Sequence, residues 1–377
     1  MKILMISSDP QILILNTEAR MRMEEYASLF QELHVVVLGR GGTQSHQPHY
    51  RGEASIVGGN LFLYSAGGGM VFTRMLRGWM IGRALAARIR FDVVSAQGAD
   101  ETGLVGFFTA RASRVPFQLQ IHTDVMSPWY RRASWKERLR YYLAKFLIPR
   151  ADCLRVVSQR IQRSLSSKFI VLPIFTDIAK YTSASADLET ERRFKDHDFK
   201  MLAVGRFLDR EKNFSMLIEV MRELIKRCPR ALLVLVGDGP DRTSYQSLVT
   251  NYQLEQNVLL EPWRGDLPSF YKSFDLFLSP SNYEGWGRTV IEAMASGLPV
   301  VMTDTGLAGE VVEDAKNGRV VPVGDAGSFL GAVRDLYQNP EKRRAFAAAG
   351  RKTVMEMRPK TKEEYLELYK RSFLSCL

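Results

Sequence analysis

Arg206 and Lys212 stand six residues apart behind a glycine, Gly205, and two glutamates eight residues apart, Glu284 and Glu292, bracket a second glycine-rich turn. Residues of these types suit a ligand that carries both phosphate and hydroxyl groups. Guanidinium and ammonium groups meet phosphate oxygens, and a carboxylate accepts hydrogen bonds from two adjacent hydroxyls, as on a ribose. Gly285 and Gly287 let backbone approach a ligand closely. The helix they open, beginning with Arg288 and Thr289, directs free N–H groups and its positive end outward. Glu292 lies on that helix between Ile291 and Ala293, and reads either as the ribose acceptor or as an ordinary acid on the helix surface. Gly237-Asp238-Gly239-Pro240 forms a third turn of the same kind, and His122 follows an apolar run at 117–121. His46 and His49 have no acidic or cysteine companion and read as loop histidines.

These turns all end short apolar or β-branched runs. Runs at 2–7, 33–38, 92–96, 117–121 and 154–157 read as buried strands, separated by helical periodicity at 18–31, 72–89 and 134–148. A polar, aperiodic stretch from about 176 to 197 breaks the pattern. A second series then follows, with strands at 199–204, 231–236, 257–260, 275–279 and 298–302 and helices near 213–227, 241–253, 288–296, 326–338 and 341–356. Repeated βα units predict two tandem, doubly wound, Rossmann-like α/β domains with parallel sheets. Their spans are 1–175 and 198–360, with a helix in 361–377 packing back on the first. Ligands of such sheets bind beyond the carboxyl ends of the strands, where the turns lie. No glycine follows the first strand before Gly39, which weakens a Rossmann dehydrogenase reading, and no P-loop is present. The one D-x-D, Asp196-His197-Asp198, falls in the polar stretch and reads as solvated linker. Cys153, Cys228 and Cys376 are too scattered to predict a disulfide framework or a zinc site, which fits a reducing cytoplasm. No run approaches the roughly 18–20 apolar residues of a membrane-spanning helix.

The run from Glu284 to Val300 resembles the E-G-[FWY]-G-x4-E-A-x-A-x-G-x-P-V signature of glycosyltransferase family 4, retaining enzymes of the GT-B fold. Gly205-Arg206-Phe207 with Lys212-Asn213 is similar to the family's G-R-[LF]-x4-K-[GN] element, and residues 237–240 to its G-x-G-P turn. The three agree in order and spacing over most of 199–325; over 1–172 the likeness is looser, resting on Ile121-His122, Ala151-Asp152 and Val156-Val157-Ser158. The resemblance implies two domains facing across a cleft and a nucleoside-diphosphate sugar as donor. It implies no cofactor and no metal, since Arg206, Lys212 and helix amides can meet the charge that grows on the leaving diphosphate. Carried over by position, Glu284 contacts donor-sugar hydroxyls, Glu292 the ribose, and Arg206 and Lys212 the diphosphate, with Gly205, Gly237, Gly285, Trp286, Gly287, Arg288 and Thr289 around the donor. His122 takes a place at the catalytic centre, and Trp263 borders the base or is simply core. The missing glycine pair after the first strand leaves the acceptor side less defined. Alternatives are a sugar-nucleotide epimerase of the same fold and a catalytically silent protein that binds nucleotide or lipid.

The net charge of +11 is lopsided: residues 1–172 hold 23 basic and 12 acidic residues, and 173–377 hold 29 of each. That asymmetry implies an anionic partner for the first half only. Residues 128–150 carry seven Lys/Arg, one acid and six aromatic residues, and 74–90 carry five arginines and no acid. Trp135, Leu139, Tyr142, Leu143, Phe146 and Leu147 line one helical face, which is expected to pack on the sheet. No nucleic-acid motif accompanies the cations. The preferred partners are therefore an anionic membrane surface and a lipid-linked or phosphorylated acceptor, met at the cytoplasmic face by a peripheral protein.

Overall fold

The computed structural model describes residues 1–39, 55–57, 59–165 and 169–377, the short run 55–57 by its backbone. His46 and His49 lie outside the described residues. Two compact units form, one from Met1–Pro173 with Glu363–Leu377, the other from Ile174–Lys362.

The first unit holds an eight-stranded sheet built from β1 (Lys2–Ser7), β2 (Glu32–Val37), β3 (Ser55–Val57), β4 (Leu61–Ser65), β5 (Val93–Ala96), β6 (Phe117–Ile121), β7 (Cys153–Val156) and β8 (Phe169–Val171). Its order is β3-β4-β2-β1-β5-β6-β7-β8, parallel except for β3 against β4. Central strands such as β1 are apolar and buried on both faces because helices cover both sides. One side carries helices Val71–Ala86, Glu101–Ser113 and Trp135–Leu147, which pack in that sequence, the first on the second and the second on the third. Phe117 meets Phe107 there with ring centroids 6.1 Å apart.

The opposite face of β6 and β7 is polar and still buried. Gln120 pairs in register with Arg155, whose guanidinium donates to Gln120 Oε1 at 2.9 Å, Leu172 O at 3.2 Å and the Tyr365 hydroxyl at 3.1 Å. Gln118 donates to Ser372 O at 2.7 Å. Tyr369 stacks on Tyr26 at 4.0 Å. The helix Lys362–Leu374 thus seals this face and supplies partners to Gln118, Gln120 and Arg155, as burial demands, although Arg155 Nε finds none among the described residues.

The second unit holds β9 (Phe199–Val204), β10 (Ala231–Val236), β11 (Val258–Glu261), β12 (Leu276–Ser279), β13 (Val300–Thr303) and β14 (Arg319–Val321), all parallel, in the order β11-β10-β9-β12-β13-β14. Its core includes Phe199, Met201, Phe207, Phe214, Leu233 and Phe329.

Four readings of the sequence need correction. β3, β4, β8 and β14 were not anticipated: each has three to five residues, too few to show a period. The polar stretch after residue 175 is not structureless, since Asp177 and Asp187 cap short helices at Ile178–Thr182 and Leu188–Arg193 by accepting from backbone N–H groups. Cys153 and Cys376 form a disulfide across 223 residues with Cα atoms 5.3 Å apart, a proximity that only the returning helix creates. Most of the apolar stripe of helix Trp135–Leu147 faces away from the sheet: Trp135, Leu139, Tyr142 and Phe146 are exposed and Leu143 is half-buried, and of the stripe only Leu147 is buried, beside Glu137 and Ala144.

Candidate active site

The turns that follow β9, β10 and β12 are knitted together at the carboxyl ends of those strands. Gly205 N–H donates to Val236 O at 3.0 Å and Phe207 N–H to Asp238 O at 2.9 Å. The Phe207 ring is buried between Phe214 and Tyr245, at 5.9 and 5.4 Å, which pins the turn from below. Any side chain at Gly237 would collide with the Gly205 carbonyl, and a Cβ on Gly239 would stand 2.8 Å from the Phe207 carbonyl carbon. Only glycine lets the two turns lie this close.

Lys212 and Glu284, far apart in sequence, meet here. The Lys212 ammonium donates to Glu284 Oε1 and lies 3.4 Å from Glu211 Oε1, and Ser281 Oγ donates to Glu284 at 3.0 Å. Burial pulls the ammonium's pKa down, but the carboxylates of Glu284 and Glu211 outweigh it and push it up to about 12. Backbone holds the pair in place: Asn282 N–H donates to Glu211 O at 2.8 Å, and Thr303 Oγ1 donates to Ser281 O at 2.6 Å. Arg206 is exposed, and no side chain among the described residues hydrogen-bonds it. The result is one open cation, Arg206, in the turn after β9, and one paired cation, Lys212, on the short helix Asp209–Lys212 that follows it.

Gly285 is buried and Gly287, with φ of 100°, starts helix Arg288–Ala295, whose first turn no side chain caps. Its leading amides, those of Arg288 and Thr289, are the ready anion site that a helix start provides. Glu292 is not a surface acid. It is 2% exposed, accepts from the Tyr271 hydroxyl at 3.1 Å and pairs with Arg288 Nε at 2.9 Å. Burial and the Glu292 charge together hold the Tyr271 phenol well above its ordinary range, so it stays a donor. Trp286 is buried, with an indole N–H that finds no acceptor among the described residues. Trp263 is 53% exposed, so the core reading of that residue does not hold. Asp196 and Asp198 are exposed, and Asp198 pairs with Arg230 at 3.1 Å. Among the described residues no group of three His, Cys, Asp or Glu could hold a metal ion.

In the first unit His122 stands directly after β6, half-buried. Burial, then the positive charges of Arg155 and Arg22, push its pKa down to about 3, so the imidazole is neutral at physiological pH. The register explains the second cause: Arg155 faces Gln120, two residues before His122 on the same side of β6.

Two family profiles match the chain, "glycosyl transferases group 1" over residues 186–353 and "glycosyl transferase 4-like domain" over 15–171. The chain belongs to the family 4 glycosyltransferases. This glycosyltransferase is 28% identical to the UDP-Gal:alpha-D-GlcNAc-diphosphoundecaprenol alpha-1,3-galactosyltransferase of Escherichia coli, over 66% of its own length and 67% of the relative's. Solved structures share its GT-B fold. Sucrose-phosphate synthase of Thermosynechococcus elongatus matches with a TM-score of 0.78 at 19% identity over the whole of both chains. HepE of Anabaena, in complex with UDP-glucose, matches with 0.72 at 18% identity, again over both chains. Glycosyl transfer is thereby supported and the epimerase alternative is not. No helix among the described residues of the glycosyltransferase is long and apolar enough to cross a membrane.

Glu211, Ser281 and Tyr271 escaped the sequence reading. Ser281 lies three residues before Glu284 and Glu211 next to Lys212, so proximity to a chosen residue was the available signal. Nothing in the spacing points to Tyr271, which the fold alone brings under Glu292.

Proposed function

We propose that the glycosyltransferase moves a hexose from a uridine-diphosphate sugar to a lipid-linked or phosphorylated acceptor, with retention of anomeric configuration and without a metal ion. The observation that carries this is the Lys212–Glu284 pair beside the exposed Arg206 at the ends of β9 and β12. As the glycosidic bond breaks, its electron pair goes to the β-phosphate oxygen. Arg206, Lys212 and the amides of Arg288 and Thr289 stabilise the growing charge without reorganising. Glu284 accepts from hydroxyls of the donor sugar, which orients the anomeric carbon. Glu292, braced by Tyr271 and Arg288, offers its remaining lone pairs to the ribose. Neutral His122 serves the reacting sugar as a hydrogen-bonding group and not as a charge. Gly205, Gly237, Gly285 and Gly287 leave room for the diphosphate, and Trp263 borders the base.

The choice of uridine draws on the UDP-galactose enzyme of Escherichia coli and on the UDP-glucose complex of HepE. The acceptor class draws on the diphosphoundecaprenol substrate of the former and on the excess positive charge of residues 1–172. On the same grounds we place the protein peripherally at the inner face of the cell membrane. A thermal-shift series with UDP, GDP and ADP tests the donor, because saturation to about a hundred times Kd stabilises by about 2.7 kcal/mol. UDP should raise Tm and EDTA should leave transfer intact. A shift with GDP or ADP alone, or activity lost to EDTA and restored by a divalent ion, overturns the reading.

A further inference from the structure

We propose that the outward faces of helices Val71–Ala86 and Trp135–Leu147, with Phe108 between them, form a surface that inserts into the interfacial zone of an anionic lipid bilayer. The inference deepens the peripheral placement stated above and rests on it. Phe72, Leu76 and Met80, spaced four residues apart, are 75%, 45% and 58% exposed. They lie on the side of their helix opposite the buried Gly78, where an added Cβ would run into Leu38 and stand against Val105. Trp135, Leu139 and Tyr142 are 72%, 53% and 56% exposed, on the side opposite the buried Glu137. Helix Glu101–Ser113 packs against both of these helices and shows Phe108 to solvent, so the three neighbouring helices all present apolar side chains outward. A soluble monomer seldom leaves so many large apolar side chains open on adjacent helices without a use.

Charge selects the occupant. Arg131, Arg132, Lys136, Arg138, Lys145 and Arg150 are exposed around the stripe. The one acid of that segment, Glu137, is turned inward, and Arg140 is drawn off to Glu101 at 3.1 Å. Helix Val71–Ala86 adds exposed Arg77 and Arg83 and holds no acid. Lys136 lies over the Trp135 ring and Arg150 over Phe146, at 5.8 and 4.1 Å, so cations flank aromatic rings that can enter the acyl boundary. A second copy of this chain would set like charges against like. Apolar centre, aromatic shoulders and cationic rim together match anionic headgroups above acyl chains.

The test uses the full-length protein and vesicles of phosphatidylcholine with or without phosphatidylglycerol. Wild type should float with the anionic vesicles, and lipids brominated in their acyl chains should quench its tryptophan emission. The variant Leu76→Ser, Met80→Ser, Trp135→Ser, Leu139→Ser should float about tenfold less even at low salt, with its UDP-induced thermal shift unchanged as proof of folding. The variant Arg131→Gln, Arg132→Gln, Lys136→Gln, Arg138→Gln should float less than wild type at low salt, with the difference narrowing as salt screens the charge that wild type retains. If wild type ignores anionic vesicles, the peripheral placement falls and this proposal with it. If wild type floats and the apolar variant floats equally, the placement stands and this surface is wrong. Self-association of wild type without lipid, broken by the apolar variant, would assign the surface to a second copy and overturn the proposal.

Discussion

Replacing Glu284 with glutamine removes the carboxylate that holds Lys212 while leaving Ser281 an acceptor. Its cost follows from the ammonium. The Lys212 side chain is 16% exposed, and burial alone would lower its pKa, yet the two glutamates hold it at about 12 against an ordinary 10.5. At about 1.36 kcal/mol per pKa unit that gap is a net stabilisation of roughly 2 kcal/mol. Glu284 supplies the larger share, and Glu211 remains 3.4 Å away in the variant. The loss should therefore approach about 2 kcal/mol and stay below the roughly 3–5 kcal/mol of stripping a buried charge of its last partner. A lysine whose folded pKa lies above the unfolded one contributes its full stabilisation below the unfolded pKa, and loses it as pH rises through about 12. The deficit should then be constant between about pH 6 and 9. Urea unfolding followed by tryptophan fluorescence at both ends of that range measures it. Calorimetry with UDP should show near-normal affinity, while transfer falls about a hundredfold or more. A variant as stable as wild type, or a deficit that shrinks across that range, would mean that Glu284 does not hold the Lys212 charge, and a loss of UDP affinity equal to that of Glu292→Gln would move Glu284 from the sugar to the nucleotide.

Arg206→Ala should cost transfer about 2–4 kcal/mol of transition-state stabilisation with little change in stability, because the side chain is exposed and carries no structural hydrogen bond; wild-type turnover would remove it from the site. Glu292→Gln should weaken binding of UDP itself and lower Tm, since Arg288 loses its charged partner and the Tyr271 hydroxyl its anionic acceptor; calorimetry and a melting curve read both. His122 should remain neutral in acid, so no loss of transfer should centre on the ordinary histidine value of 6.5. Because its folded pKa lies below the unfolded one, the stability it supports is present above about 6.5 and lost as pH falls toward about 3. Histidine NMR, assigned with His122→Gln, checks the first point directly.

Local sequence carried the buried strands of both sheets well because each is a run of apolar residues long enough to stand out, as at Lys2–Ser7 and Ala231–Val236. Glycine turns at strand ends marked where Arg206, Lys212 and Glu284 would sit, since the turn and the strand are adjacent in the chain. What bridges distant segments left no such mark. Tyr271 beneath Glu292, Cys153 against Cys376 and the tyrosines above Arg155 each join residues that only the finished fold brings together. The outward apolar stripe of Trp135–Leu147 misled for a different reason: periodicity locates a helix's apolar side but does not say what that side meets.

The first unit is not continuous along the chain, and this bears on its synthesis. When Pro173 leaves the ribosome, Arg155 has no Tyr365 hydroxyl to donate to, and Gln118 and Gln120 lack the covering helix. About two hundred residues must still be added, which at about 5–20 residues per second takes roughly 10–40 s. During that interval a charged guanidinium and a row of amides stay wetted on a half-finished sheet, while the second unit, contiguous from Ile174 to Lys362, can close as soon as it emerges. Order of birth and order of completion are therefore reversed: the half made first is the half finished last.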